Sequence, residues 1–180
     1  GATVGAAYDF GTGLTAAFGA QTTEDAVFTD ESLDAYALNA AYTADSYGVS
    51  VTYGVVETSS TNEDTYTAFN AYYLPEGTNL PSLSVGYEIG DIGGAAATAD
   101  EKTSFMVGLS WDEVGPGSAG IALGHSSTTE GDDEEYQYEA YYSYPINDGM
   151  TITPLIYSKD SSTSGQDDTT GVMVKTSFSF

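Results

Sequence analysis

The chain has no cysteine and no arginine. Without thiols there are no disulfides and no thiolate chemistry, and either redox compartment is compatible. Three basic residues, all lysine, stand against 27 acidic ones, and the formal net charge is -24. So few cations cannot neutralise a phosphate backbone, which argues against nucleic acid as a partner. Docking onto anionic lipid through a basic patch is excluded for the same reason. Histidine occurs once, at His125. One imidazole without thiols builds no zinc site, and nothing in the sequence places a serine and an aspartate beside it. Its position suggests a strand end facing water. No apolar run approaches the ~20 residues of a membrane helix, a test that is blind to membrane strands. The opening GATVGAAYDF has neither a charged start nor a continuous apolar stretch, so it does not read as a signal peptide. The helix formers Lys, Arg, Gln and Leu are scarce as well.

What is present favours strands. Tyrosine numbers 15 and glycine 21, with abundant Thr and Ser. Period-two alternation recurs along the chain. One face of 14–21 reads Leu14, Ala16, Phe18, Ala20. In 36–42 it reads Tyr36, Leu38, Ala40, Tyr42. In 47–55 Tyr47, Val49, Val51, Tyr53 and Val55 oppose Gly48, Ser50, Thr52 and Gly54. Leu83, Val85, Tyr87, Ile89 and then Phe105, Val107, Leu109, Trp111 repeat the pattern. Tyr138, Ala140, Tyr142 and Tyr144 oppose Gln137, Glu139, Tyr141 and Ser143. The chain closes on GVMVKTSFSF, with Val172, Val174, Thr176, Phe178 and Phe180 on one face. The stretches 1–8, 65–74, 118–125 and 150–158 complete a set of eleven, the last with Pro154 in mid-strand.

The connections alternate in length. Short turns are expected near 9–13, 44–46, 75–81, 113–117 and 145–149, and longer polar loops near 22–34, 57–64, 88–101, 127–135 and 159–169. Most acidic residues fall in the longer loops, and of the strands only the one holding Glu139 carries an acid. Aromatic residues form two belts. Phe10, Tyr42, Tyr47, Tyr73, Trp111, Tyr144 and Phe180 sit beside the short turns; Phe18, Tyr36, Tyr66, Tyr87, Phe105 and Tyr138 sit nearer the long loops. Charge-free strands between charged ends, two aromatic belts and one-sided long loops together predict an all-β, antiparallel up-and-down transmembrane β-barrel. In such a barrel the last strand pairs on both edges.

Two motifs carry less than they suggest. GPGSAG at Gly115–Gly120 fits a dinucleotide fingerprint, but a strand pattern follows it rather than a helix, so a turn through Pro116 and Gly117 is expected. The acidic run Glu130, Asp132, Asp133, Glu134, Glu135 lacks the ligand spacing of an EF-hand. It reads as a solvated acidic loop, the alternative being weak divalent-cation binding that bridges to lipopolysaccharide. No firm metal site and no cofactor is expected. The carboxylates lie in loops, which disfavours a hydrolytic pair and any catalysis.

The stretches TSFMVGLSWDEVGPGSAGIALGHSS, EAYYSYPINDGMTITPLIYS and GVMVKTSFSF resemble the C-terminal part of the cyanobacterial major outer-membrane porins, of the carbohydrate-selective porin superfamily. The likeness is clearest over 103–180. It implies the outer membrane of a Gram-negative-type bacterium, with lipid and lipopolysaccharide as surroundings and a homotrimer as assembly. It implies that the barrel-assembly machinery reads Val174, Phe178 and Phe180, and that the cargo is inorganic ions or small sugars. Members of the family usually carry an N-terminal S-layer-homology domain, which has no counterpart in 1–180, and a larger barrel. An odd strand total also departs from the even count of bacterial barrels. Residues 1–180 are therefore read as a barrel porin domain or its C-terminal portion, within a larger even-stranded barrel.

The expected function is a passive diffusion channel for small hydrophilic solutes and ions, with an acidic mouth that favours cations. Asn39, Ser50, Thr52, Asn70, Ser84, Ser104, Gln137, Glu139 and Lys175 are the expected lining residues. Glu139 and Lys175, each counted from its strand end, are expected at similar height, ~10 Å apart. The rival expectation is a plugged, non-conducting outer-membrane barrel that displays acidic loops for surface interaction or adhesion.

Overall fold

Residues that alternate between β-branched or aromatic and Gly, Ser or Thr form strands, because each half fits one surface of a pleated sheet. The computed structural model describes residues 1–22, 34–77, 80–95, 100–161 and 166–179, and only the backbone of Ser127. It contains β1 (Ala2–Asp9), β2 (Leu14–Thr22), β3 (Asp34–Thr43), β4 (Tyr47–Ser59), β5 (Asn62–Tyr73), β6 (Ser82–Ile92), β7 (Glu101–Val114), β8 (Gly117–Thr129), β9 (Tyr136–Asn147), β10 (Met150–Lys159) and β11 (Thr169–Phe178). These form one antiparallel sheet in which every strand pairs with its neighbours in sequence. The fold is all-β and up-and-down.

The two surfaces of this sheet differ sharply. Direct cross-strand partners share a face, so the register sorts every residue. Tyr36, Leu38 and Tyr42 lie opposite Val55, Tyr53 and Val49, and on the same face the row from Ala40 through Val51 runs on to Phe69, Tyr87 and Phe105. This face is apolar across all eleven strands, and it is exposed: Leu38 is 54% accessible and Val49 is 49%. The opposite face carries small and polar residues and is the more sheltered one in β3, where Ala37, Asn39 and Ala41 are half-buried. A water-soluble domain would invert this pattern. Among the described residues the only buried apolar side chains are Ala20 and Val55. Among the described residues no hydrophobic core lies under the sheet.

The strands are staggered. One row of partners runs Asp9, Thr15, Ala41, Ser50, Asn70, Gly86, Met106, Gly124, Gln137, Lys159, Thr169. It starts at the short-turn end of β1 and leaves at the long-loop end of β11. With ~3.4 Å per residue and ~4.8 Å between strands, that drift is a tilt of roughly 30°. A steady shear of this kind is what curls a sheet towards a barrel. The sheet does not close: among the described residues β1 pairs only with β2, and β11 only with β10. The expectation that the last strand pairs on both edges is therefore corrected. Eleven alternating strands leave the first and last running in the same direction, so they cannot join by an antiparallel ladder.

Several boundaries move. The predicted loop 57–64 is a tight hairpin, because β4 and β5 run on to Ser59 and Asn62. The predicted short turn 75–81 is an eight-residue connection, 74–81. Longer strands draw Asp34, Glu57, Glu63, Asp64, Glu88, Asp91 and Glu101 into the sheet, mostly at its long-loop end. Residues 23–33 of the first long loop, and Phe180, lie outside the described residues. Tyr66 leaves the aromatic belt, since its register partner Gly90 lies on the polar face. The GPGSAG segment forms a two-residue turn at 115–116, with Gly115 at φ 63°. The Tyr142 hydroxyl donates to the Val114 carbonyl at 2.8 Å across that turn.

Pro154 sits within β10, and its missing N–H is absorbed locally. The ladder to β9 skips Thr153 and Pro154, while the register to β11 runs on through Pro154 and Val174. The Thr153 hydroxyl donates to Ser143 Oγ at 3.1 Å and bridges the gap.

Four tyrosines on the polar face pack their rings against a cross-strand glycine: Tyr72 on Gly48, Tyr66 on Gly90, Tyr141 on Gly120 and Tyr157 on Gly171. A Cβ on Gly48 or Gly120 would come within 2.4 Å of the ring. The ring covers backbone that glycine leaves bare, and so pins the register. Gly124 is tight for another reason: a Cβ there would lie 2.4 Å from the Phe105 carbonyl oxygen. Gly124→Ala is expected to cost about 1–3 kcal/mol in a urea titration of the folded protein. Gly19→Ala, with nothing within 4 Å, is expected to stay within about 0.5 kcal/mol.

Candidate functional site

The polar face is the surface with chemistry to offer. All nine residues predicted to line a lumen lie on it. The Asn39 side-chain amide donates to Thr52 Oγ1 at 2.8 Å and to the Val51 carbonyl at 3.2 Å. Ser50 lies opposite Asn70, Ser84 opposite Tyr72, and Ser104 opposite Glu88. Gln137 lies opposite Gly124, Glu139 opposite Ala122 and Tyr157, and Lys175 opposite Thr153. The alternation that makes one face apolar places these residues together on the other.

Glu139 and Lys175 are not level. The row through Glu139 reaches β11 at Gly171, four residues from Lys175. With ~3.4 Å per residue and two strand spacings, they lie roughly 16 Å apart rather than 10 Å. The strand end is not where the aromatic belt suggests, because β9 runs past Tyr144 to Asn147.

Sequence reasoning passed over the other two lysines. Lys102 lies opposite Gly90, and Lys159 opposite Gln137 and Thr169, so all three cations share the polar face. Counting by twos from Ser104 and from Tyr157 would have found both. Lys159 Nζ lies 2.6 Å from a Glu135 carboxylate oxygen. That ion pair draws the acidic 130–135 loop onto the end of β10. In the same loop Glu134 accepts a hydrogen bond from the Tyr136 hydroxyl, and Glu130 N donates to the Glu101 carbonyl at 2.7 Å. No group of three or more His, Asp or Glu suited to a metal forms among the described residues.

The long-loop rim is acidic on the apolar side too. Glu57 lies opposite Glu63, and its carboxylate accepts the Asp34 N–H at 3.1 Å. Opposed like charges destabilise a sheet unless solvent or counter-ions screen them. His125 departs from expectation. It is 6% accessible and wedged on the apolar face between Phe105 and Tyr136, with ring centroids 4.8 and 5.8 Å away. Its Nδ1 lies 3.0 Å from the Ser126 carbonyl. The bulge between Thr103 and Phe105 adjoins this cluster. Val174 and Phe178 of the predicted assembly signal lie on the apolar face, 61% and 62% accessible.

No helix among the described residues is long and apolar enough to cross a membrane, which says nothing of strands. Neither protein-family models nor curated proteins give a match to this chain.

The ion pair is half-exposed, so Glu135→Gln is expected to change stability by less than about 1 kcal/mol. The same change should raise the rate at which Lys159 is acetylated by a water-soluble acylating reagent, read by peptide mass spectrometry. An unchanged rate would show that the pair does not persist in solution.

Proposed function

We propose that the chain forms the wall of an outer-membrane channel through which small hydrophilic solutes and inorganic ions diffuse passively. One observation carries this reading: a sheared up-and-down sheet has a continuous exposed apolar face on one side and a small, polar face on the other. Lipid is the solvent that suits the first face, and water suits the second. The tilt, the shear and the aromatic residues of the apolar face support it. So does the resemblance of 103–180 to cyanobacterial outer-membrane porins, from which the homotrimer, the lipopolysaccharide surroundings and the barrel-assembly role of Val174, Phe178 and Phe180 are carried over. A closed antiparallel wall requires an odd number of further strands between β1 and β11.

The ion preference follows from charge. The polar face holds three lysines, one of them paired with Glu135, and the long-loop end is crowded with carboxylates. Cations concentrate at such a mouth and anions are repelled, within about 10 Å at 0.1 M salt. The channel performs no catalysis. Asn39, Ser50, Thr52, Asn70, Ser84, Ser104, Gln137, Glu139 and Lys175 provide hydroxyl, amide and charged groups along the water-filled side.

Leu38→Arg, on the apolar face, is expected to cost ~2–4 kcal/mol in a bilayer near the midplane. Thr52→Arg, on the polar face of the next strand, should cost much less. Urea titrations in lipid vesicles would compare them, and equal costs would remove the membrane orientation. For the channel itself, planar-bilayer recordings in a salt gradient should give stepwise openings with a cation-selective reversal potential that shrinks as salt rises. A protein that inserts but never conducts would instead be the plugged barrel displaying acidic loops.

A further inference from the structure

The polar face is mostly Gly, Ala, Ser, Thr and Asn, with tyrosines over glycines and scattered charged and amide residues among them. Its large aliphatic residues away from the strand ends are Met106, Leu155 and Met173, and all three line one hollow of about 660 Å³ spanning β7–β11. Leu155 and Met173 are direct partners, and Met106 shares a row with Gln137. Met106 and Met173 are 46% and 54% accessible. Water-filled surface gives no reason to gather flexible apolar side chains in one place, whereas a binding hollow does. Ligand sites of about this volume are mostly apolar with a few fixed polar groups, and methionine adapts its shape to what it touches.

The polar groups of the hollow select a charge. Glu139 lies there with Gln137 beside it, and it makes no ion pair or hydrogen bond among the described residues. Its cross-strand partner Tyr157 packs its ring against Gly171 and stays 37% accessible. Lys159 also lines the hollow, but its ammonium is held by Glu135 at 2.6 Å. The pair therefore leaves Glu139 as the uncompensated charge. A carboxylate, an aromatic ring and three aliphatic side chains complement a cation that carries an apolar body, through a charge-assisted hydrogen bond, a cation–π contact and apolar burial.

We propose that this hollow is a binding site for organic cations, specifically a primary ammonium on a short apolar body. The proposal deepens the channel reading, on which access to this face from water rests. It makes the wall selective among cations rather than merely attractive to all of them.

The test is isothermal titration of the full chain, folded in detergent, with phenethylammonium. Ammonium chloride and the uncharged phenethyl alcohol serve as comparisons. Phenethylammonium should bind at least about tenfold more tightly than either, and Glu139→Gln should weaken it by about tenfold or more, the value of one charge-assisted contact. Glu135→Gln, outside the hollow, should weaken it too by releasing the Lys159 charge, and serves if the first variant does not fold. Binding unchanged by either variant, or equal binding of the alcohol, overturns the site. Intact binding without conductance would leave the site standing and remove the channel. Cation-selective conductance without binding would do the reverse.

Discussion

Register is the constraint on which everything else depends. Because side chains alternate strictly, a slip of one residue in any strand would exchange its apolar and polar halves. Ten ladders hold one phase from β1 to β11, and the two-faced character survives only because they do. The stagger adds a second consequence. Rows of partners cross from one rim to the other, so residues at the same distance from their strand ends need not be neighbours. Glu139 and Lys175 illustrate it.

Particular residues defend that register. The four glycine–tyrosine pairs lock β4 to β5, β5 to β6, β8 to β9 and β10 to β11, each on the polar face. Each ring covers backbone that its glycine leaves bare. Pro154 and the bulges at 103–105 and 150–151 are three of the places where the ladder is interrupted. Each has a local remedy or occupant: the Thr153–Ser143 hydroxyl pair, the Phe105–His125–Tyr136 ring cluster, the tight 148–149 turn. Charge is organised as economically. With three cations in the chain, holding Lys159 against Glu135 decides the sign of the hollow beside it, and the remaining acids crowd towards the rims.

The number of strands, their approximate spans and the membership of each face were legible in the sequence, because period-two alternation is a local property set by one residue and its next-but-one neighbours. The nine polar-face positions follow from that parity alone. Several features were not legible. The 57–64 hairpin was hidden because polar Thr, Ser and Glu at strand ends look like loop. His125 looked like a solvated strand end, because only the pairing of β7, β8 and β9 brings Phe105 and Tyr136 to either side of it. The tyrosine–glycine locks need the register of two strands at once.

The sequence by itself determined an all-β chain of eleven two-faced strands with acid at the rims, since alternation and charge are written residue by residue. Only the tertiary structure decided the stagger, the open edges at β1 and β11, the separation of Glu139 from Lys175 and the gathering of Met106, Leu155 and Met173 around one carboxylate. Those depend on how far each strand slides against the next, and that sliding is fixed by the sum of cross-strand contacts rather than by any single stretch of chain.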